Sequence, residues 1–163
     1  MRVEAAAGGL VVHVDDEGDS ARLGAAIGAV VAPGTVIGLV GPLGAGKTRL
    51  SRAIAEALGV DPRAIASPTF VLINEYQGII PIYHFDAYRL VDQDAFDDLG
   101  AAEYFDGGGL CLVEWADRVS ARLPADAWRI RIEPTGPTSR AYRIEVGEGI
   151  ASTLRDRLVP GLP

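Results

Sequence analysis

The sequence of 163 residues contains one cysteine, one methionine, two histidines and one lysine. A lone cysteine, Cys111, excludes an intramolecular disulfide, and in an apolar segment it reads as a small buried hydrophobe. No apolar run approaches the roughly 18 residues that a membrane helix needs, so no membrane partner is expected. Residues 1–9 gain no long apolar stretch before His13 and the acids that follow, which together with the single thiol points to the cytoplasm. His13, His84 and Cys111 lack the spacing of zinc ligands, and His84 reads as a packed histidine. A net charge of −7 leaves no electrostatic drive toward phosphate backbones, so contact with a nucleic acid is expected only through a partner.

The composition that remains, 48% hydrophobic and 23% charged, belongs to a soluble protein, and the length suits one domain over residues 1–163. Lysine usage is more informative. The fifteen basic residues are fourteen arginines and Lys47, and Lys47 lies inside a glycine-rich stretch. A chain so biased toward arginine uses lysine where a compact ammonium on a flexible stem is required, and gripping phosphate is such a task.

Along the chain, residues 10–14 read as a strand, and Ser20 is a candidate N-cap for an Ala-rich helix ending before Pro33. Residues 35–40 form a continuous apolar run that suits a strand buried on both faces of a parallel sheet. After the glycine-rich loop, Leu50, Ile54 and Leu58 mark one stripe of a helix closed by Gly59. Residues 70–73 and 79–85 read as a hairpin turning at Gln77 and Gly78, and residues 92–105 as an acidic, mostly helical segment. Residues 110–113 form a second buried strand ending at Glu114, followed by a short helix to Arg122. Residues 128–133 and 142–146 read as an exposed antiparallel pair, and residues 150–159 as a surface helix. The expected fold is α/β, a three-layer, P-loop NTPase-like arrangement with a mostly parallel central sheet and antiparallel hairpin insertions.

The chemistry concentrates at residues 41–48. Gly41, four residues, then Gly46, Lys47 and Thr48 satisfy the phosphate-loop pattern, and the strand before and helix after supply its required context. Gly44 and Gly46 permit close backbone approach, and the N–H groups of Gly41, Leu43, Gly44, Ala45 and their neighbours are expected around nucleotide phosphates at a helix N-terminus. Lys47 is expected at the β- and γ-phosphates and Thr48 on a magnesium ion, with Arg49 opening the helix on the solvent or nucleotide side. Magnesium also calls for an acid at a strand end, and both Glu114 and Asp86 qualify. We assign Glu114 to the metal and Asp86 to orienting the attacking water or to the outer metal shell. ATP and magnesium are the implied ligands.

Four stretches in order, residues 41–48 (GPLGAGKT), 67–70 (SPTF), 83–90 (YHFDAYRL) and 111–115 (CLVEW), resemble the bacterial TsaE family, formerly YjeE, across roughly residues 20–146. The resemblance implies an ATPase in tRNA threonylcarbamoyladenosine synthesis whose partners are TsaD, the transferase, and TsaB, its scaffold, with hydrolysis resetting their complex between turnovers. It implies a place near the γ-phosphate for Thr69, and adenine contacts from residues 15–17, including Glu17, and from Arg140. Pro42 and Arg49 depart from the family pattern, and Pro42 offers no N–H to a phosphate.

Three other functions compete. A GTPase needs an Asn-Lys-x-Asp guanine motif, and the only lysine is committed to the loop. A small-molecule kinase needs an arginine-rich lid, and no segment is dense in arginine. A nucleotide-dependent binding module, in which hydrolysis is incidental, fits many of the same features.

Overall fold

The computed structural model describes residues 1–65 and 72–159. One mixed sheet of eight strands runs through the described residues: β1 (Arg2–Ala6), β2 (Gly9–Val14), β3 (Val36–Val40), β4 (Ile73–Gln77), β5 (Pro81–Asp86), β6 (Leu110–Glu114), β7 (Trp128–Pro134) and β8 (Arg140–Glu145). Among the described residues five helices accompany it: α1 (Glu17–Gly28), α2 (Lys47–Ala57), α3 (Asp94–Asp97), α4 (Ala101–Asp106) and α5 (Glu148–Leu158), with a 3-10 segment at Ala116–Arg122. The strand order is β1-β2-β8-β7-β3-β6-β5-β4.

The sheet is less parallel than the sequence suggests. Only β7-β3, β3-β6 and β6-β5 pair in parallel, whereas β1-β2, β2-β8, β8-β7 and β5-β4 are antiparallel. The short connections after β1, β4 and β7 leave no room for a crossover, so those neighbours must run antiparallel. The pair β7-β8 is also not peripheral. It sits between β2 and β3, and Ile130, Ile132, Tyr142 and Ile144 are buried while the alternate residues face outward.

The central strands are apolar throughout because both of their faces are covered. In β6, Leu110 and Leu112 join one core with Leu23 and Ile27 of α1, Leu50 and Ile54 of α2 and Leu154 of α5. Cys111 and Val113 join a second core with Phe85, Phe96 of α3 and Val119. Removing a core side chain such as Ile54 or Phe96 costs about 2–5 kcal/mol. Cys111 is buried, and desolvation pushes its thiol pKa up to about 12, in line with a packing role.

Local chemistry sets the ends of the elements. α1 is capped by Asp16, whose carboxylate accepts from the Asp19 N–H at 2.8 Å, and not by Ser20, which lies inside the helix with its hydroxyl 3.3 Å from that of Tyr142. The acidic segment is two short helices rather than one, because Gly100 between them is left-handed at φ 71°. α1 and α2 lie unusually close. A Cβ on Gly24 would fall 2.3 Å from the Cβ of Ala53, and one on Gly28 2.8 Å from that of Ala57. Among the described residues no helix is long and apolar enough to cross a membrane.

Candidate nucleotide-binding site

β3 delivers the chain to the glycine-rich loop at the carboxyl end of the parallel strands, where open α/β sheets place their ligands. Gly44 and Gly46 adopt φ of 76° and 109°, values that a side chain would strain, and Gly46 is the N-cap of α2. The first N–H groups of α2 have no intrahelical acceptor, so the loop presents donors and a positive dipole end together. Lys47 is 5% exposed, and its Nζ donates to the carbonyls of Gly41 at 2.7 Å and Pro42 at 2.9 Å. The ammonium also lies 3.6 Å from the ring centroid of Trp115. Burial lowers its pKa, opposed by the charges of Glu114, Asp117 and Asp86.

Both expected acids end neighbouring parallel strands and stand in register, Asp86 opposite Glu114. Glu114 is 3% exposed and accepts a 2.8 Å hydrogen bond from the Thr48 hydroxyl through Oε2. Asp86 is buried and accepts from the Tyr88 N–H at 2.9 Å. These acids, Leu43, Gly44, Gly46, Lys47, Thr48, Arg49, Tyr88, Arg89 and Trp115 line one cavity of about 300 Å³. The oxygens of Thr48, Glu114 and Asp86 are hard donors of the kind magnesium takes. Among the described residues no group of three or more His, Cys, Asp or Glu side chains is arranged to hold a metal.

The opposite flank of the loop is polar and open. Glu17, Ser20, Gly44, Ala45, Gly46, Arg49, Thr138, Arg140 and Tyr142 surround a smaller cavity of about 160 Å³. Glu17 pairs with Arg49, and Arg140 donates to the Ala45 carbonyl at 3.0 Å, tying β8 to the loop. Glu17 and Arg140 thus meet at the loop although 122 residues separate them in the chain. Leu43 stands out at 81% exposed, whereas Ala45 is fully buried. Thr69, with the rest of the 67–70 stretch, lies outside the described residues.

The TsaE family, described as threonylcarbamoyl adenosine biosynthesis protein TsaE, matches residues 14–142. The chain belongs to the TsaE family. It is 47% identical over 109 residues to the tRNA threonylcarbamoyladenosine biosynthesis protein TsaE of Bacillus subtilis, covering 66% of this chain and 67% of that protein. It is 36% identical over 124 residues to the Mycobacterium tuberculosis H37Rv protein of the same description, covering 71% and 73%. The crystal structure of Bacillus subtilis YdiB superposes with a TM-score of 0.73 at 31% identity and covers 96% of both chains.

In this TsaE family member, sequence reasoning missed three side chains. His84, read as a packing residue, places Nε2 2.7 Å from Glu114 Oε1. Ser51, one helical turn after Thr48, places its hydroxyl 3.5 Å from the same oxygen. The available signals were spacings: His84 shares a strand face with Asp86, and Ser51 shares a helix face with Thr48. Trp115 is the third. Among the described residues it is the non-glycine residue with positive φ, 58°, and its ring lies against Lys47 and Tyr88, 4.7 Å between the ring centroids of Trp115 and Tyr88. Arg118 backs that stack by donating to the Tyr88 carbonyl at 2.6 Å.

Proposed function

We propose that this protein is a P-loop NTPase-like subunit of bacterial, cytoplasmic tRNA threonylcarbamoyladenosine synthesis that binds and hydrolyses ATP with magnesium and resets a TsaB–TsaD transferase complex between turnovers. The observation that carries the nucleotide reading is the Thr48–Glu114 hydrogen bond beside Lys47 at one cavity. It joins a hydroxyl, a strand-end carboxylate and an ammonium at the N-terminus of α2. Family membership and the similarity to relatives described as tRNA threonylcarbamoyladenosine biosynthesis proteins support the pathway.

In this reading the N–H groups at the start of α2 receive the phosphates, and Lys47 leaves the carbonyls of Gly41 and Pro42 for the β- and γ-phosphate oxygens. The Thr48 hydroxyl and Glu114 would hold the cation, which when bound would neutralise charge developing on the phosphates. Asp86 orients the attacking water, and Thr69 approaches the γ-phosphate. Glu17, Arg49 and Arg140 border the adenosine end.

The test is threonylcarbamoylation of tRNA over many turnovers by purified TsaB and TsaD supplied with the threonylcarbamoyl adenylate, with and without this protein and ATP. Product formation that continues only with both, and is lost with Lys47→Ala, is the expected result. Unchanged product formation in their absence overturns the reset role. ATP turnover measured as free phosphate in the same samples separates hydrolysis from a purely ATP-dependent interface.

A further inference from the structure

His84 meets Glu114 through a contact that the proposed hydrolysis leaves unused. Their side chains are 1% and 4% exposed, deep under the loop. A carboxylate in such a place is held only if its oxygens find donors, and Glu114 divides them. Oε1 faces His84 Nε2 at 2.7 Å and, at a longer 3.5 Å, the Ser51 hydroxyl. Oε2 faces the Thr48 hydroxyl at 2.8 Å.

The fold explains how His84 gets there. β5 and β6 pair in parallel with His84 opposite Leu112 and Asp86 opposite Glu114, so His84 stands on the same sheet face as Glu114, one pleat back. Its ring lies 6.4 Å from that of Tyr76, a buried neighbour on β4.

We propose that His84 is a positioning residue: by donating from Nε2 it holds Glu114 in the orientation in which Oε2 alone meets the Thr48 hydroxyl. Thr48 then spends its one hydrogen on Glu114, which leaves its oxygen lone pairs free for a divalent cation when one is bound. Without that donor, Oε1 keeps only the long contact to the Ser51 hydroxyl, and the carboxylate is drawn away from Thr48 toward it. The inference rests on the nucleotide reading above and adds to it a reason for a buried histidine.

The experiment compares His84→Asn with His84→Gln. The glutamine amide reaches the position of Nε2 and the asparagine amide does not. ADP binding is followed by calorimetry as Mg²⁺ is raised from zero. His84→Asn is expected to raise the half-maximal Mg²⁺ concentration about tenfold while metal-free ADP affinity stays within about twofold, and His84→Gln to bring the Mg²⁺ requirement back. An asparagine variant that titrates like the wild type, or a glutamine variant as impaired as the asparagine one, overturns the proposal.

Nitrogen-15 NMR of the wild-type imidazole is independent of variant folding. A proton on Nε2 is expected, and an Nε2 without one overturns the proposal, since it has nothing to donate. A wild-type chain that binds no ADP, or binds it without regard to Mg²⁺, overturns the nucleotide reading instead. The NMR result then still decides whether His84 donates to Glu114.

Discussion

Glu114 and Arg140 stand on opposite flanks of one loop and are held by different physics. The Glu114 flank is dry: its carboxylate, Lys47 and His84 are all buried, and they are held by the Gly41 and Pro42 carbonyls, the Thr48 hydroxyl and the contact between His84 and Glu114. The Arg140 flank is wet, with Glu17 and Arg49 about half exposed or more, and its contacts are ion pairs and carbonyls at the rim. Low dielectric makes every partner on the first flank matter, whereas solvent screens the second. In the proposed function the chemistry falls on the dry side and the adjustable recognition on the wet one.

This contrast can be broken or sharpened by substitution. The largest effect is expected for Asp86→Asn, which should lower ATP turnover by roughly 10²–10⁴ with ATP affinity retained if Asp86 orients the water. Phosphate-release kinetics showing normal turnover would return Asp86 to a structural role, held by its bond to the Tyr88 N–H. Lys47→Ala should weaken ATP binding by about 10–100-fold, the worth of charged hydrogen bonds to phosphate. Calorimetry with unchanged affinity would remove the phosphate assignment.

Glu114→Gln keeps the shape but not the charge, and should raise the Mg²⁺ needed for tight ADP binding by about 10-fold or more. An intact Mg²⁺ response would transfer the metal role to Asp86. On the wet flank, Arg140→Ala and Glu17→Ala should each change nucleotide affinity by no more than about two- to fivefold, and the change should shrink as salt is added. A salt-independent loss of a hundredfold would place either residue on the dry side. Cys111, with its thiol buried and its pKa raised, should resist alkylation in the folded protein and react once denatured, which mass spectrometry after pulse labelling would detect.

Much of the dry flank was legible because it is local in sequence. A buried strand, a loop needing left-handed glycines and a helix stripe follow one another within residues 36–58, and each leaves its own mark. Glu114 and Asp86 were legible as strand ends. What stayed hidden depends on strand order. The period of β7 and β8 showed one buried face but not that the pair lies between β2 and β3, and no spacing announced β1, which forms by pairing with β2. His84 reaches Glu114 only because β5 and β6 become neighbours with a set register, so its role was invisible where its polarity was not. The helix start was misread at Ser20 because Ser and Asp both cap, and Asp16, four residues earlier, holds the position.

The close seating of α1 on α2 at Gly24 and Gly28 has a mechanical consequence. Glu17 begins one of these helices and Thr48 lies in the first turn of the other, and the two line a common groove. With bare backbone at Gly24 and Gly28 seated against the methyl groups of Ala53 and Ala57, the gap between the two helix starts is machined to a tolerance of a single methyl group, and one carbon added at Gly24 would force the helices apart and widen that groove from a distance.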